Sequence, residues 1–403
     1  MRFIVPAAAM LAAAAIVSPV HAQGGNAQQQ ATPKLSLSKQ ATPALAELQA
    51  AVNANDVANI PAKIAAAKAA VQNKDDRALL GQLQLKAALA SNDLAALADA
   101  IETLASSQFL DAAKTSGLYR DLGVRQFNAK QNAAALASFQ KAAALTPNDP
   151  ETLELLGQGQ LAAGQSAQGV ATLQRAIAAR AATGQKPPED IYRKAVQAAF
   201  DAQLPTASEV ARQWLIAYPS PSAWRNTLAI YAKLNPNDTA ATLPVLRLMH
   251  ATGAMTSATE YGAYINLLLQ QSNFNEAQAV LDQGIAAKVI DTSNGAHGAL
   301  ITSVRSKPKA TAADLAAAAK TAQSGAALLR IGDRYYGLGD YAKAVEMYRA
   351  AQARGVDAST VNLYIGMALA RAGDKAGATA AFNSVSGGLA GVAKFWLLHL
   401  QQA

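Results

Sequence analysis

A repeat of 34 residues runs through this chain and constrains its fold more than any other feature of the sequence. Gly332 and Gly366 stand 34 positions apart, and each follows an isoleucine. The same spacing separates Gly123 from Gly157 upstream. Each glycine is followed by a small residue twelve places on and by a large apolar residue sixteen places on. Four units on one template predict an array of helical hairpins rather than one globular core.

The residues at these positions have packing roles that follow from their size. Glycine and alanine let two helix backbones approach closely, and large side chains fill the space between them. Gly339 is expected to end a helix with a positive φ, and Asp340 to cap the next helix. Gly337 lies off the template, and the pattern predicts no role for it. The predicted packing set comprises Gly123, Ala135, Phe139, Gly157, Leu173, Gly332, Tyr335, Ala344, Tyr348, Gly366, Ala378 and Phe382.

The pattern resembles the tetratricopeptide repeat, in which a large residue, Leu-Gly, Tyr, Ala, Phe, Ala and Pro recur at fixed offsets. Leu328, Gly332, Tyr335, Ala344 and Tyr348 carry the clearest unit. The resemblance implies an all-α fold, an α-solenoid whose antiparallel helical hairpins wind into a right-handed superhelix. Composition agrees, because alanine and leucine are abundant, both favour helices, and aromatic residues make up only 5% of the chain.

The chain divides into six predicted segments. Residues 1–22 are predicted to be a signal peptide, with a positive Arg2, an apolar stretch and a small-residue cleavage pattern that ends at Ala22. The polar, low-complexity residues 23–43 are predicted to be a disordered leader. The remaining segments are degenerate helical hairpins over 44–110, tetratricopeptide-like repeats over 111–322, two clear repeats over 323–387 and a capping helix over 388–403.

The first segment indicates a compartment. A signal peptide cleaved after Ala22, followed by an alanine- and glutamine-rich start, is typical of the periplasm of a Gram-negative bacterium. The chain has no cysteine, so its fold does not depend on disulfides, and thiol catalysis and thiolate metal sites are excluded. No later stretch is long and apolar enough to span a bilayer, so no transmembrane segment is expected after cleavage.

The sequence predicts no catalytic, cofactor or metal site. Two glycine-rich stretches have the spacing of a phosphate loop, but Gln165 and Leu338 stand where that loop requires lysine. His250, His297 and His399 do not stand at metal-ligand spacing from one another. An enzyme with an unrecognised site stays open as an alternative. Nucleic-acid binding is not expected, because the basic residues form no dense stripe.

The resemblance also implies a binding groove on the inner, concave face of the array. Family members hold an extended peptide or a partner helix there, so we expect a non-catalytic protein-protein interaction scaffold of the cell envelope. The formal net charge of +8 leaves open a scaffold that guides an anionic envelope polysaccharide. Groove-facing positions are expected at Arg120, Phe127, Leu161, Arg225, Lys233, Asp333, Tyr336, Met367 and Arg371.

The apolar C-terminal segment allows two interpretations. Residues 388–403 include Phe395 and Trp396 among several leucines. The first interpretation is a helix that seals the last hairpin with its aromatic side chains turned inward. The second is an oligomerisation or partner face, because a cap that keeps an array in solution is usually more polar. We favour the first.

Overall fold

The computed structural model describes residues 35–402, and the regular structure in that range is helical, with no strand. The all-α fold predicted from the repeat is therefore confirmed. The predicted signal peptide, residues 1–22, and most of the predicted leader lie outside the described residues. The chain forms two compact units with their boundary at Pro187 and Pro188, which we call the N-terminal unit and the C-terminal unit.

Eight helices build the described part of the N-terminal unit. They are α1 (Ala41–Asn53), α2 (Ile60–Ala70), α3 (Lys74–Ser91), α4 (Leu94–Ser107), α5 (Ala112–Asn128), α6 (Asn132–Leu145), α7 (Pro150–Ala162) and α8 (Ser166–Ala182). Consecutive helices pair as hairpins, with α3 on α4, α5 on α6 and α7 on α8. Because α5 also contacts α7, each hairpin packs on its neighbour, as repeats do in a solenoid.

Thirteen helices and a short 3-10 turn, Gly387–Leu389, build the described part of the C-terminal unit. The helices are α9 (Glu189–Asp201), α10 (Ala207–Ala217), α11 (Pro221–Leu234), α12 (Thr239–Ala251), α13 (Ala258–Gln270), α14 (Phe274–Ala286), α15 (Gly295–Arg305), α16 (Ala312–Thr321), α17 (Gly325–Leu338), α18 (Tyr341–Ala353), α19 (Ala358–Ala372), α20 (Lys375–Asn383) and α21 (Ala390–Gln402). Within residues 35–402, no helix has both the length and the apolar character needed to cross a bilayer.

Local residue chemistry explains where these helices start and stop. Asp340 accepts a hydrogen bond from the backbone N–H of Lys343 and so caps α18. Ser257 and Glu260 form a reciprocal capping box at the start of α13. Gly339 ends α17 with a φ of +81°, a conformation that glycine adopts without a steric cost. These short signals produce hairpins joined by tight turns.

Each repeat glycine lies against the large side chain sixteen residues further on. A β-carbon built on Gly332 would lie 2.4 Å from Cε1 of Tyr348, and one on Gly123 would lie 2.4 Å from Cε1 of Phe139. Only glycine permits so close an approach of the two helices. The tetratricopeptide-like hairpin is therefore present in both units. The other two pairs are Gly157 with Leu173 and Gly366 with Phe382, and the remaining packing positions, Ala135, Tyr335, Ala344 and Ala378, are buried.

The C-terminal unit adds contacts between helices that are far apart in sequence. Helix α12 contacts α19 and α21, and α14 contacts α17. Trp396 on α21 is 1% exposed, stacks on Phe382 at 5.7 Å and donates its Nε1–H to the carbonyl of Pro244 at 3.2 Å. The C-terminal helix thus turns its aromatic side chains inward and joins the last hairpin to α12. Through these contacts the end of the C-terminal unit packs against α12, and we call this arrangement the closure of the unit.

The end of the predicted leader is ordered, which corrects the boundary placed at residue 43. The backbone N–H of Ser36 donates to Asp75 at 2.8 Å, and Ser38 donates to Asp76 through its N–H and its hydroxyl. Helix α1 then begins at Ala41. Two carboxylates at the start of α3 bind this polar segment, and a local pattern of residues does not reveal partners that distant.

Candidate functional site

An ion cluster lies buried in the C-terminal unit. Arg247 on α12 is 2% exposed and donates to both oxygens of Glu276 on α14, at 2.9 and 2.7 Å. Its Nη1 lies 3.1 Å from Oδ1 of Asp333 on α17, an ion-pair contact outside hydrogen-bond geometry. We call these three residues the buried triad. They connect three helices through charge-assisted contacts.

Tyrosine side chains complete the surroundings of the triad. The hydroxyl of Tyr264 donates to Glu276 at 2.5 Å, and that of Tyr348 donates to Asp333 at 3.0 Å. The guanidinium carbon of Arg247 lies 4.0 Å from the ring centre of Tyr336, within the range of a cation–π interaction. Asn273 donates its side-chain amide to Glu276 as well. Each charge of the triad therefore has several partners.

Two carboxylates, those of Glu276 and Asp333, share one buried guanidinium. Negative charge is therefore in excess within the triad, and this excess affects the pKa values of its members. Burial raises the pKa of Asp333 to about 6, a shift to which Glu276 adds and which Arg247 and Tyr348 oppose. Burial alone would lower the pKa of Arg247, but Glu276 and Asp333 hold it well above its usual value. Glu276 accepts from Arg247, Tyr264 and Asn273, whereas Asp333 accepts a hydrogen bond from Tyr348, so Asp333 is the less fully compensated carboxylate of the triad.

The triad explains Gly337, which the repeat pattern left without a role. A β-carbon on Gly337 would lie 2.8 Å from Oδ1 of Asn273 and 2.8 Å from the backbone nitrogen of Glu276. Helix α17 therefore rests directly on the start of α14, and a larger residue would separate the two. Gly337 allows the approach that brings Asp333 and Glu276 to the same guanidinium.

A cavity of about 240 Å³ lies beside the buried triad and is lined by Arg371 at the end of α19. The Nε–H of Arg371 donates to the hydroxyl of Tyr341 at 3.3 Å. Among residues 35–402, no carboxylate lies within 4.0 Å of its guanidinium. The other lining residues are Arg247, His250, Tyr264, Glu276, Ala279, Val280, Gln283, Tyr336, Gly337, Leu338, Gly339 and Tyr341.

His250 adds a titratable group to this cavity. Burial and the charge of Arg371 lower its pKa, and Glu276 and Gln283 partly oppose that shift. The imidazole is therefore uncharged at neutral pH and offers one donor and one acceptor. Within the described residues, no group of three or more His, Asp or Glu side chains is placed to hold a metal ion.

Three predicted groove residues are buried and therefore do not lie on an open surface. Asp333 and Tyr336 are 9% and 8% exposed and contact Arg247, and Met367 on α19 is fully buried. The physical reason is the closure of the C-terminal unit. Arg247 of α12 occupies the face of α17 that an open array would present to a ligand.

The other predicted groove residues of the C-terminal unit lie nearer the surface. Arg225 donates to Glu260 at 2.5 Å, and the ammonium of Lys233 lies 4.8 Å from the ring centre of Phe200. Each of these two cations thus already has a partner within the unit. Among the predicted groove cations, Arg371 is the one that lines the cavity.

The predicted groove residues of the N-terminal unit are held by their own hairpins. Arg120 on α5 forms ion pairs with Asp149 at 2.9 Å and with Glu151 at 2.6 Å. Phe127 and Leu161 are half-buried. The Leu161 side chain packs so tightly on Gly169 that a β-carbon there would lie 2.5 Å from it. These residues connect helices, and their role in binding a partner stays a prediction.

Several residues of the site were missed by sequence reasoning, namely Arg247, Tyr264, Glu276 and Tyr341. One signal was available, because Arg247 interrupts the apolar run LPVLRLM. An arginine within such a run is expected to be buried, and a buried arginine needs a carboxylate partner. The identity of that partner had no signal, since Glu276 and Asp333 lie on other helices.

Comparison with known proteins assigns neither a family nor a function to this chain. No protein-family model and no curated protein matches the chain. Similar solved structures include a tetratricopeptide repeat protein from Parabacteroides merdae, the apo form of RapI and yeast Tom70. Their sequence identities to this chain are 13%, 14% and 13%, respectively. The alignments cover 80%, 78% and 82% of this chain and 99%, 97% and 89% of the matched chains. The TM-scores are 0.26, 0.29 and 0.20, too low to support any assignment, so the fold rests on the hairpin packing described above.

Proposed function

We propose that this chain is a non-catalytic binding scaffold of the bacterial periplasm or cell envelope, which holds a peptide segment or a helix of a partner protein. The observation that carries the proposal is the cavity of the C-terminal unit. Residues of α12, α13, α14, α17, α18 and α19 line it, and it contains a cation, Arg371, without a carboxylate partner among residues 35–402.

Rigid surroundings support a binding role for this cavity. Bidentate contacts of Arg247 with Glu276 and the hydroxyls of Tyr264 and Tyr348 fix the helices that form its wall. A site that is already in place loses little conformational freedom when a ligand enters. The hairpin array supplies the frame, since successive repeats position many helices around one surface.

The compartment is part of the proposal and rests on residues 1–22. Their positive start, apolar stretch and small-residue end at Ala22 are those of a cleaved signal peptide. Expression of the full chain in its host, followed by fractionation and mass measurement, tests this. A periplasmic protein that starts at Gln23 is the expected result, and an uncleaved cytoplasmic chain would contradict it.

An anionic envelope polysaccharide is the alternative ligand, which the net charge of +8 favours. A polysaccharide groove needs several free cations along one path. Arg120 and Arg225, two of the cations expected to face the groove, are paired with carboxylates of their own unit. Arg371 is left as a single cation at the cavity, and a single cation suits a peptide better than a long polyanion.

Site-specific photo-crosslinking in the living cell tests the scaffold role. A photoreactive amino acid replaces Leu338, which lines the cavity and is 36% exposed, in the full chain. One discrete protein adduct, mapped to a short segment of a partner, is the expected result. The matched control carries the same amino acid at Val57, which is 64% exposed on the N-terminal unit. Adducts that do not exceed those of the control, or adducts to polysaccharide alone, would overturn the proposal.

A further inference from the structure

The chain has three tryptophans, and they differ in what their indole N–H groups bind. All three are buried, with Trp214 5% exposed, Trp224 4% and Trp396 1%. The N–H of Trp214 donates to Glu189 at 3.1 Å, and that of Trp396 donates to the carbonyl of Pro244 at 3.2 Å. In the part of the chain that the structure describes, the N–H of Trp224 has no acceptor. A buried indole usually pairs its N–H, so this donor is available to a ligand.

Trp224 lines a cavity of about 280 Å³ that shares no lining residue with the cavity beside the buried triad. Three helices form this second cavity. Trp224 lies near the start of α11, Thr252 follows the end of α12, and His399 and Gln402 lie at the end of α21. Because α21 supplies one wall, the cavity depends on the closure of the C-terminal unit.

Polar side chains of this lining have hydrogen-bonding capacity left over. The ring of His399 meets that of Trp224 edge-on, with ring centres 6.1 Å apart. Burial and the charge of Arg371 lower the pKa of His399, so its imidazole is uncharged at neutral pH and offers one donor and one acceptor. Gln402 donates its amide to the carbonyl of Leu215 at 3.3 Å, which leaves its side-chain oxygen as an acceptor.

The described residues that line this cavity carry no charge at neutral pH, in contrast to those beside the triad. A charged ligand would lose hydration here and meet no opposite charge of the lining. A purely apolar ligand would leave the indole N–H, the imidazole and the amide oxygen unpaired. The exposed rings of Pro219 and Pro221 supply apolar surface. The fitting ligand is therefore uncharged and has both hydroxyl groups and an apolar face, which is the chemistry of a sugar ring.

We infer that this cavity binds one uncharged sugar residue, whose ring carbons lie against Pro219 and Pro221 and whose hydroxyl groups pair with Trp224, His399 and Gln402. The ring is either a free sugar or one residue of a glycan, since both present the same groups. The indole N–H of Trp224 fixes the orientation of the ring, because it is the buried donor of the site. The inference goes beyond the proposed scaffold function and does not depend on it.

The size of the cavity and the burial of Trp224 favour a sugar over a peptide. The volume is just below the ~300–1,000 Å³ of pockets that hold drug-sized ligands, so it suits a ligand of about one ring. A proline-rich peptide docks on exposed aromatic faces. With 4% of its surface exposed, Trp224 offers its N–H rather than a ring face.

Saturation-transfer-difference NMR on the purified full chain tests the site, because the method detects weak contacts of small ligands. The probes are glucose, galactose, mannose and N-acetylglucosamine. We expect at least one of them to bind with a dissociation constant of about 1–10 mM, the affinity that a few contacts of one ring provide. Methyl glycosides of the same sugars identify the source of the ring. Retained binding indicates a residue of a glycan, and lost binding indicates a free sugar.

Three results would overturn the inference. The first is the absence of binding by all four sugars and their methyl glycosides. The second is binding of a hexaproline peptide without binding of any sugar, which would identify a peptide site. The third is tighter binding of glucuronate than of glucose, because the lining contains no cation for that carboxylate.

Two variants assign the binding to this cavity. Trp224→Phe keeps an aromatic ring and removes the N–H, so it should weaken sugar binding about 2–10-fold, the effect of one hydrogen bond. Gln402→Leu changes an exposed residue and should weaken binding to a similar extent. Trp214→Phe is the matched control, because Trp214 is equally buried on α10, pairs with Glu189 and does not line the cavity.

Circular dichroism melting establishes that each variant folds before its binding is measured. Equal weakening in Trp224→Phe and Trp214→Phe would overturn the inference, because the effect would then not come from the cavity. Unchanged binding in both Trp224→Phe and Gln402→Leu would also overturn it. Photo-crosslinking at Leu338 reports on the other cavity, so the scaffold function and the sugar site stand or fall separately.

Discussion

The N-terminal and C-terminal units use the same hairpin, yet they differ by two functional groups at equivalent positions. Gly123 and Gly332 each face a ring at the same distance, so the close approach of the helices is alike. In the N-terminal unit the ring belongs to Phe139, and the residue after the glycine is Val124. The C-terminal unit has Tyr348 and Asp333 there, joined by a hydrogen bond.

This difference changes how each unit is stabilised. Apolar residues at both positions mean that this hairpin of the N-terminal unit buries no carboxylate there, and its ion pairs, such as Arg120 with Asp149, lie partly exposed. A buried carboxylate in the C-terminal unit needs a cation, which Arg247 supplies from α12. The comparison shows that one buried acidic residue in a repeat couples the stability of helices that are distant in sequence.

The largest expected effect comes from removing the cation of the buried triad. Arg247→Met leaves Glu276 and Asp333 buried without their partner, so we expect a loss of about 3–5 kcal/mol in the unfolding free energy of the C-terminal unit. Urea titration followed by circular dichroism measures the loss, and hydrogen exchange locates it in one unit. Arg120→Met in the N-terminal unit is the matched control, with an expected loss below about 1 kcal/mol. Equal losses of unfolding free energy in Arg247→Met and Arg120→Met would contradict the proposed difference between the two units.

The next effect tests what the two units share. Gly332→Ala and Gly123→Ala each place a β-carbon 2.4 Å from a ring, so each is expected to cost about 1–3 kcal/mol by overpacking. Similar losses of unfolding free energy in both units would show that the two hairpins pack in the same way. Gly298→Ala on α15 is the control, because no atom lies within 4 Å of its β-carbon, and it should stabilise slightly. A neutral Gly332→Ala would contradict the packing role.

Asp333 should give the C-terminal unit a pH dependence at a position where the equivalent N-terminal residue, Val124, has no titratable group. Burial raises the pKa of Asp333 from 3.8 to about 6, so the folded chain retains a proton that the unfolded chain releases. Its contribution to stability is fully present below about pH 4 and is lost as the pH rises through about 6. Compared with Asp333→Asn, the wild type should lose roughly 1–3 kcal/mol of unfolding free energy over that range, at about 1.4 kcal/mol per pKa unit.

Urea titrations at a series of pH values measure this difference. Asp374→Asn is the control, because Asp374 is exposed at the start of α20 and asparagine caps helices as well. It should leave the wild-type pH dependence in place. Parallel stability curves for wild type and Asp333→Asn would refute the shift.

The smallest expected effect comes from one hydroxyl. Tyr348→Phe makes the position identical to Phe139 of the N-terminal unit and removes the donor to Asp333 at 3.0 Å. We expect a loss of about 0.5–1.5 kcal/mol, the usual net worth of a hydrogen bond. In the background of Asp333→Val the same change should cost less, because the acceptor is absent. A double-mutant cycle by urea unfolding measures this coupling, and a coupling of zero would show that the two groups act independently.

The fold was largely predictable because its signals are local. A glycine paired with a large residue sixteen positions on, and Asp340 after Gly339, define a hairpin within one stretch of chain. The candidate site was not predictable to the same extent. Of the expected groove residues in the C-terminal unit, Arg371 and Tyr336 line the cavity, whereas Asp333 is buried against Arg247. The repeat pattern describes an open array and contains no information on its closure.

Residue chemistry alone determined that this chain forms helical hairpins, because caps, glycines and large apolar residues act within one repeat. Tertiary structure alone decided which groups share the buried triad and which arginine stays unpaired. The physical reason is sequence separation. Trp396 bonds to the carbonyl of Pro244, 152 residues earlier, and Arg247 meets Glu276 and Asp333 from separate helices. Such contacts depend on the closure of the whole C-terminal unit, and a single repeat does not specify it.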